Sequence, residues 1–425
     1  MSQMRDVCLP LEKLDKCNTC GKRSNLQLCS KCGESIYCSP KCQKKDWPHH
    51  KLTCNLDRVD LAVMYPFLAS LAEIGHCRQW KPFHPALTHQ IVFPENWPHV
   101  CVVPIILDDR IPEDEFTLAK WCPRLPTDSD RRKVFQRILH EGYTLPILVS
   151  ISIALLAGIY TTKAVRAPNG NVRRGVRLMY RGSPISDFGI AKGSLNVQEQ
   201  NRLVYFKETP IILFSRGQDP NEHYWLYFKT IKNEEAIVDL ATSMFNVGSQ
   251  VKVDPYIPGV FPKDSFAPAL FQEDCVAGNV IGAHRERERF SVLRNDDLRA
   301  IAYHATGYRV TRFEADDMWD FMDTVAGREC EGIEKMIATD VLQSALAQFE
   351  SIVEERAWRQ WPKTPECRPC SDDAESGEWW EELMKWKKRN KSYVPQDQIS
   401  SISRLDDMMS DMITVHISQD FEIFD

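Results

Sequence analysis

The strongest constraint on this chain is a run of metal-binding residue types near its start: C17-x2-C20-x8-C29-x2-C32-x5-C38-x3-C42-x7-H50-x3-C54. Seven cysteines and one histidine in so short a stretch make two complete four-ligand sets. Structural zinc wants four thiolate or imidazole ligands in a tetrahedron, and a tight turn lets a pair such as Cys17/Cys20 or Cys29/Cys32 aim two sulfurs at one ion. Eight protein ligands on two ions leave no open coordination position, so the metal is structural and not catalytic. It folds a segment too small to hold itself together with a hydrophobic core. Spacing alone leaves one choice open, since His49 could stand in for His50.

The other residues set the context. With 425 residues, 43% of them hydrophobic, the chain is long enough for two or three domains with a real core. A net charge of −6 and a pI near 6.0 predict no bulk affinity for nucleic acid. Nearly half of the 15 cysteines lie in the zinc stretch. The opening MSQMRDVCLPLEKLDKC has no apolar core of a signal peptide. Free thiols, thiolate metal sites and no export signal together predict a reducing compartment, nucleus or cytoplasm.

One stretch tests the expectation that no membrane is involved. Gly142 to Thr162, GYTLPILVSISIALLAGIYTT, carries no charge and is flanked by Arg and Lys. About 18 uncharged apolar residues is the usual length for a membrane span. The strongly apolar part runs only from Leu145 to Tyr160 and contains Pro146, Ser150 and Ser152. A helix hydrophobic on all sides is also what the centre of a large domain needs, and a buried core helix is the expectation here.

Read in order, residues 1–12 look like a flexible lead-in, and residues 13–54 form the zinc module. Residues 55–361 make a larger α+β domain, and 362–425 a linker with a weakly ordered acidic tail. The spacing predicts a helix over Asn55–Leu71 and a strand over Val100–Leu107, where Pro104 argues for an edge position or a break. Helix is expected over 130–160 and a basic hairpin or loop over Val165–Arg181. Short strands follow at Leu203–Phe206 and Ile211–Phe214. The clearest β signal is an antiparallel hairpin near 223–240, in which His223–Ile231 and Ala236–Leu240 flank a polar turn. Residues 291–361 return to a helical pattern, strongest over Gly332–Trp358. Lys363–Gly377 reads as a linker and Glu378–Asn390 as a short amphipathic helix.

The right-hand half of the zinc stretch, from Tyr37-Cys38 through Cys42-Gln43 and Trp47 to His50-Lys51 and Cys54, closely resembles the MYND-type zinc finger. That signature is two CxxC pairs, a YCxxxCQ run, a Trp and then HKxxC, and each element is here. The resemblance covers residues 17–54. Carried over residue by residue, it implies Cys17, Cys20, Cys38 and Cys42 on one zinc and Cys29, Cys32, His50 and Cys54 on the other. Its HK dipeptide favours His50 over His49. It also implies a protein-interaction module that takes short, often proline-containing peptide motifs, with Gln43 and Trp47 lining or supporting the groove. Transcriptional or chromatin regulation is the process it suggests. The bland alternative for Trp47 is a place in the local core. From Lys13 to Cys54, nine Lys/Arg face three Asp/Glu. Seven thiolates and two Zn²⁺ bring the formal +6 to about +3, a mildly basic surface.

Catalytic signatures are sparse elsewhere. A SET-type lysine methyltransferase with an embedded MYND finger needs an NHxCxPN-like and a GEELxxxY-like run, and neither is present. His223 and Asp239, on the two strands of the predicted hairpin, resemble the His and Asp strands of transglutaminase-like and papain-like enzymes. There an Asp orients the His that activates a cysteine. The upstream helix at Thr144–Tyr160 has no cysteine at its start. Cys367 and Cys370 form a lone CxxC, and the arginines at 166–181 lack interleaved aromatics. The expectation is a zinc-binding adaptor and not an enzyme; the alternative is a (pseudo)enzyme using His223 and Asp239.

Overall fold

The computed structural model describes residues 7–54, 57–77, 84–93, 103–161, 165–166, 172–173, 176–197, 202–207, 212–271, 284–304 and 312–369. Its helices are α1 (Pro40–Cys54), α2 (Leu61–His76), α3 (Leu118–Trp121), α4 (Asp128–Leu139), α5 (Thr144–Ile159), α6 (Asp296–His304), α7 (Arg312–Ala326) and α8 (Gly332–Glu355). The charge-free run is α5, and every residue of it except Gly158 is buried. A helix apolar on all sides has to be wrapped on all sides, and α2, α6, α7, α8 and the main sheet do so. At Gly158 an added Cβ would sit 2.9 Å from the Phe349 ring, so α5 and α8 touch where the side chain is smallest. Of the two serines that counted against a membrane span, Ser150 makes hydrogen bonds in the core. Ser150 Oγ donates to the carbonyls of Pro146 and Ala338, both at 2.7 Å, and Ser152 is buried in the same core. No single helix among the described residues is long and apolar enough to cross a membrane; α4 and α5 reach that length only together, bent by 76°.

The fold is α+β. The main sheet runs Leu270–Phe271, Glu235–Asp239, His223–Thr230, Ser183–Leu195, Val176–Tyr180, Asp57–Asp60. His284–Ser291 pairs antiparallel with the far half of Ser183–Leu195. The predicted hairpin at 223–240 is present, with Leu226 opposite Val238, and forms part of this larger sheet. Alternation splits its residues between two faces. Leu226 and Phe228 join α5 in the core, while Trp225 and Tyr227 pack with Ala191 on the opposite face. A second sheet, in the order Ile212–Arg216, Leu203–Lys207, Val103–Arg110, His89–Val92, closes its own core around Trp121, Val134 and Ile138 of α3 and α4.

Four local expectations change. Asp57–Asp60, read as the start of a helix, is a strand parallel to Val176–Tyr180, and Asp60 then caps α2 by accepting from the Ala62 amide at 3.0 Å. Pro104 lies inside its sheet and not on an edge strand. It pairs with Val204 on one side, while the described pairs to His89–Val92 begin at Ile106, so its missing N–H interrupts no described ladder there. The lead-in is tied down at its end: Val7 bridges Thr161, the Cys8 amide donates to Tyr160 O at 2.7 Å, and Arg294 reaches Pro10 O. Cys367–Pro369, expected in a linker, adds a strand to Ser249–Lys252. The helix expected at Glu378–Asn390 and the acidic tail lie outside the described residues.

Candidate metal centres and interaction surface

Each CxxC pair of the finger is followed by a glycine in the left-handed region, Gly21 at φ 71° and Gly33 at φ 70°. There the chain turns back, and the Gly21 and Gly33 amides donate to the carbonyls of Cys17 and Cys29. Ser39 starts α1, its Oγ accepting from the Cys42 amide at 3.3 Å, with Pro40 as the first helical residue. His50 and Cys54 then fall one turn apart on α1 and face the same way.

The result is two clusters. In the first, Cys20 and Cys38 sulfurs are 3.5 Å apart, Cys38 and Cys42 3.6 Å, and Cys42 and Cys20 3.7 Å, with Cys17 completing the set. In the second, Cys29 and Cys54 sulfurs are 3.8 Å apart, and His50 Nε2 stands 3.3 Å from Cys29 and 3.5 Å from Cys32. A tetrahedron with Zn–S near 2.3 Å and Zn–N near 2.0 Å requires edges of about 3.8 Å between sulfurs and about 3.6 Å from nitrogen to sulfur. These edges match it, and they are far longer than the ~2.05 Å of a disulfide. The two four-residue groups fit the two zinc ions of the finger. Between His49 and His50 the geometry decides for His50, which is buried in the cluster while His49 is exposed.

Outer partners that spacing does not encode complete the second centre. With Nε2 facing the metal position, His50 Nδ1 donates to Ser35 Oγ at 3.0 Å, fixing the ring and its tautomer. Gln43 Nε2 donates to Cys29 Sγ at 3.5 Å. Burial pushes the Cys29 thiol up, but the His50 contact and the backbone amides of Cys32 and Lys31 outweigh it and bring it down to about 6. A three-thiolate, one-imidazole zinc centre keeps a net charge of −1, and Arg177 answers it. Burial works against that guanidinium's charge. Glu34 at 2.6 Å and the nearby sulfurs of Cys32 and Cys54 outweigh the burial and raise its pKa. Arg177, placed by the sequence in a solvated arginine loop, is a buried residue of the main sheet that binds the finger to it. Gly33 rests against Pro184 alongside, where an added Cβ would come within 2.9 Å of the ring.

Gln43 and Trp47 lie four residues apart on α1. Trp47 keeps 41% of its surface exposed and meets the His50 ring edge-on at 5.9 Å, so it is not local core. Gln43 is half-buried and, through Cys29, serves the metal centre as well as the surface.

His223 and Asp239 are also brought together, His223 Nε2 standing 2.6 Å from Asp239 Oδ2. The sequence missed the third member: His284 Nε2 is 2.6 Å from the same oxygen. No spacing signal links it to the other two, because it arrives on a strand 45 residues later. His223 shares a sheet face with Trp225, whereas α5 covers the face of Leu226 and Phe228. Cys370 lies outside the described residues. Cys367, paired with it in the sequence reading, contacts Tyr65 Oη at 2.9 Å.

Residues 17–54 match the MYND finger family. Over that region the chain is 50% identical across 38 residues to Egl nine homolog 1 of Homo sapiens, 9% of each chain. It is 42% identical across 50 residues to N-lysine methyltransferase SMYD2-A of Xenopus laevis, 12% of each, and 40% identical across 45 residues to N-lysine methyltransferase SMYD2 of Homo sapiens, 10% of each. The matched segment thus spans about a tenth of these relatives. The two methyltransferases are enzymes by name, and the likeness to all three is confined to this short segment. No solved structure matches the chain.

Proposed function

We propose that the protein is a zinc-dependent adaptor that recruits a partner protein through its MYND finger, by a short proline-containing peptide motif, in transcriptional or chromatin regulation in the nucleus or cytoplasm. One observation carries this reading: a large apolar side chain, Trp47, stands exposed on a helix that two zinc centres hold rigid. Rigid aromatic anchors on an otherwise polar surface are where interface energy concentrates. The saturated coordination of the finger leaves it no chemistry of its own, and the reading is of a non-enzymatic protein. Neither a nucleic acid nor a membrane is needed as partner.

A partner pull-down with the full chain tests it. Trp47→Ala should abolish capture with zinc content unchanged from wild type; undiminished capture would refute the reading. Gln43→Ala should also reduce capture, accompanied by faster loss of zinc to a chelator because Cys29 loses a donor.

A second reading has the 2.6 Å His223–Asp239 contact in its favour: a central (pseudo)enzyme domain of transglutaminase-like or papain-like descent. It requires a thiol delivered by the upstream helix, and α5 carries none. His223→Ala abolishing an activity while the fold and the two finger zinc ions persist would establish it over the adaptor reading.

A further inference from the structure

Three strands converge on one carboxylate outside the finger. His223 opens its strand, Asp239 ends the neighbouring one, and His284 opens the strand on the other side of Ser183–Leu195. Between the two histidine strands runs Gly193, opposite His223 on one side and Glu286 on the other. A Cβ there would fall 2.1 Å from Arg285 O and 2.9 Å from the Trp225 ring. The glycine therefore lets the flanking strands and the indole close over it.

Asp239 is fully buried, His223 nearly so, and His284 remains 9% exposed at the rim. Asp239 Oδ1 accepts from the Ala241 amide at 2.9 Å, which holds the carboxylate in place. Oδ2 meets both imidazole Nε2 atoms at 2.6 Å, and the hydrogen bonds and ion pairs of Asp239 among the described residues involve no Lys or Arg. A fully buried carboxylate met by imidazoles and one amide in these contacts carries a negative charge that is expensive to bury. A cation shared by all three groups removes that cost. The three ligand atoms lie within 4.8 Å of one another; the 2.6 Å contacts are hydrogen-bond distances, and an ion shared by the three would open them to about 3.3 Å.

We propose that His223, Asp239 and His284 form a third metal site, for a divalent transition ion. Two imidazoles and one carboxylate suit Zn²⁺, Fe²⁺ or Co²⁺ over the all-oxygen preference of Mg²⁺ and Ca²⁺. The Ala241 amide on Asp239 Oδ1 is the outer contact that aims such a ligand. Three protein ligands, unlike the four at each finger centre, leave a position for water or a partner's oxygen or nitrogen. The site stands independently of the adaptor reading, since it shares no residue with the finger.

Full-length protein carrying both finger zinc ions, with any co-purified metal counted by elemental analysis, is titrated with Co²⁺. Calorimetry gives the stoichiometry and visible absorption the ligand type. The expected capacity is three ions per chain, the third showing weak ligand-field bands without the intense thiolate-to-cobalt bands that exchange in the finger would produce. His284→Gln and Asp239→Asn should weaken that third ion by at least about tenfold and leave the other two in place. A wild-type capacity of two, or a third ion bound equally by His284→Gln, would overturn the proposal and leave the cluster as a hydrogen-bonded tie between strands. Should Asp239→Asn fail to fold, the wild-type count and the rim variant still decide.

Discussion

At the scale of single residues, ligand identity was legible in the sequence because coordination chemistry restricts residue type and spacing so tightly. The outer partners were not, because a hydroxyl or amide that orients a ligand can come from many positions. Ser35 is such a case: Ser35→Ala should weaken zinc at the second centre by about tenfold, read by chelator competition, with the first centre unchanged. Another residue hidden from sequence reading is Glu141, which accepts from Tyr205 Oη at 2.7 Å. Burial raises its carboxyl from the ordinary 4.5 to about 7, against the opposing pull of Tyr205 and Arg137. A folded pKa above the unfolded one stabilises the protein most below the unfolded value, and the gain disappears as pH rises through the folded one. The difference is on the order of 3 kcal/mol. Denaturant midpoints should show wild type losing stability relative to Glu141→Gln between about pH 5 and about pH 8. A constant difference would place the titration elsewhere.

At the scale of elements, patterns that depend on composition were legible and those that depend on partners were not. α5 reads as buried from its own residues, since an uncharged helix with Pro and Ser needs a protein environment. Its closeness to α8 does not, because it shows only in contacts such as Gly158 against Phe349 and Ser150 to Ala338. Gly158→Ala forces a methyl into that contact and should destabilise by about 1–3 kcal/mol in equilibrium unfolding, the cost of overpacking exceeding the gain in helix propensity. Asp57–Asp60 was misread for the converse reason: four residues become a strand through a parallel neighbour more than a hundred positions away, which no local window contains. Arg177 is the tie between finger and sheet. Arg177→Ala removes the buried guanidinium that faces Glu34 and the second zinc centre, and should cost about 3–5 kcal/mol while speeding zinc release to a chelator. Loss of stability without faster release would confine its role to Glu34.

At the scale of the whole molecule, a small metal-folded module is docked on a larger α+β body whose second titratable cluster only the three-dimensional arrangement assembles. The α+β class was legible from the helical stretches and the aromatic hairpin. The strand order was not, because His284–Ser291 pairs with a strand far earlier in the chain, which no local window contains. The docking gives the finger a fixed orientation, and it leaves Trp47 facing outward. Whether that exposed face binds peptide decides whether the finger works as an adaptor. The direct measurement is calorimetric titration of proline-containing peptides into the zinc-loaded full chain and into Trp47→Ala. The prediction is one peptide bound per finger, weakened at least about tenfold in the variant at equal zinc content, as removal of a central aromatic anchor gives. Equal affinity in the two proteins, or binding that survives removal of zinc, would contradict it.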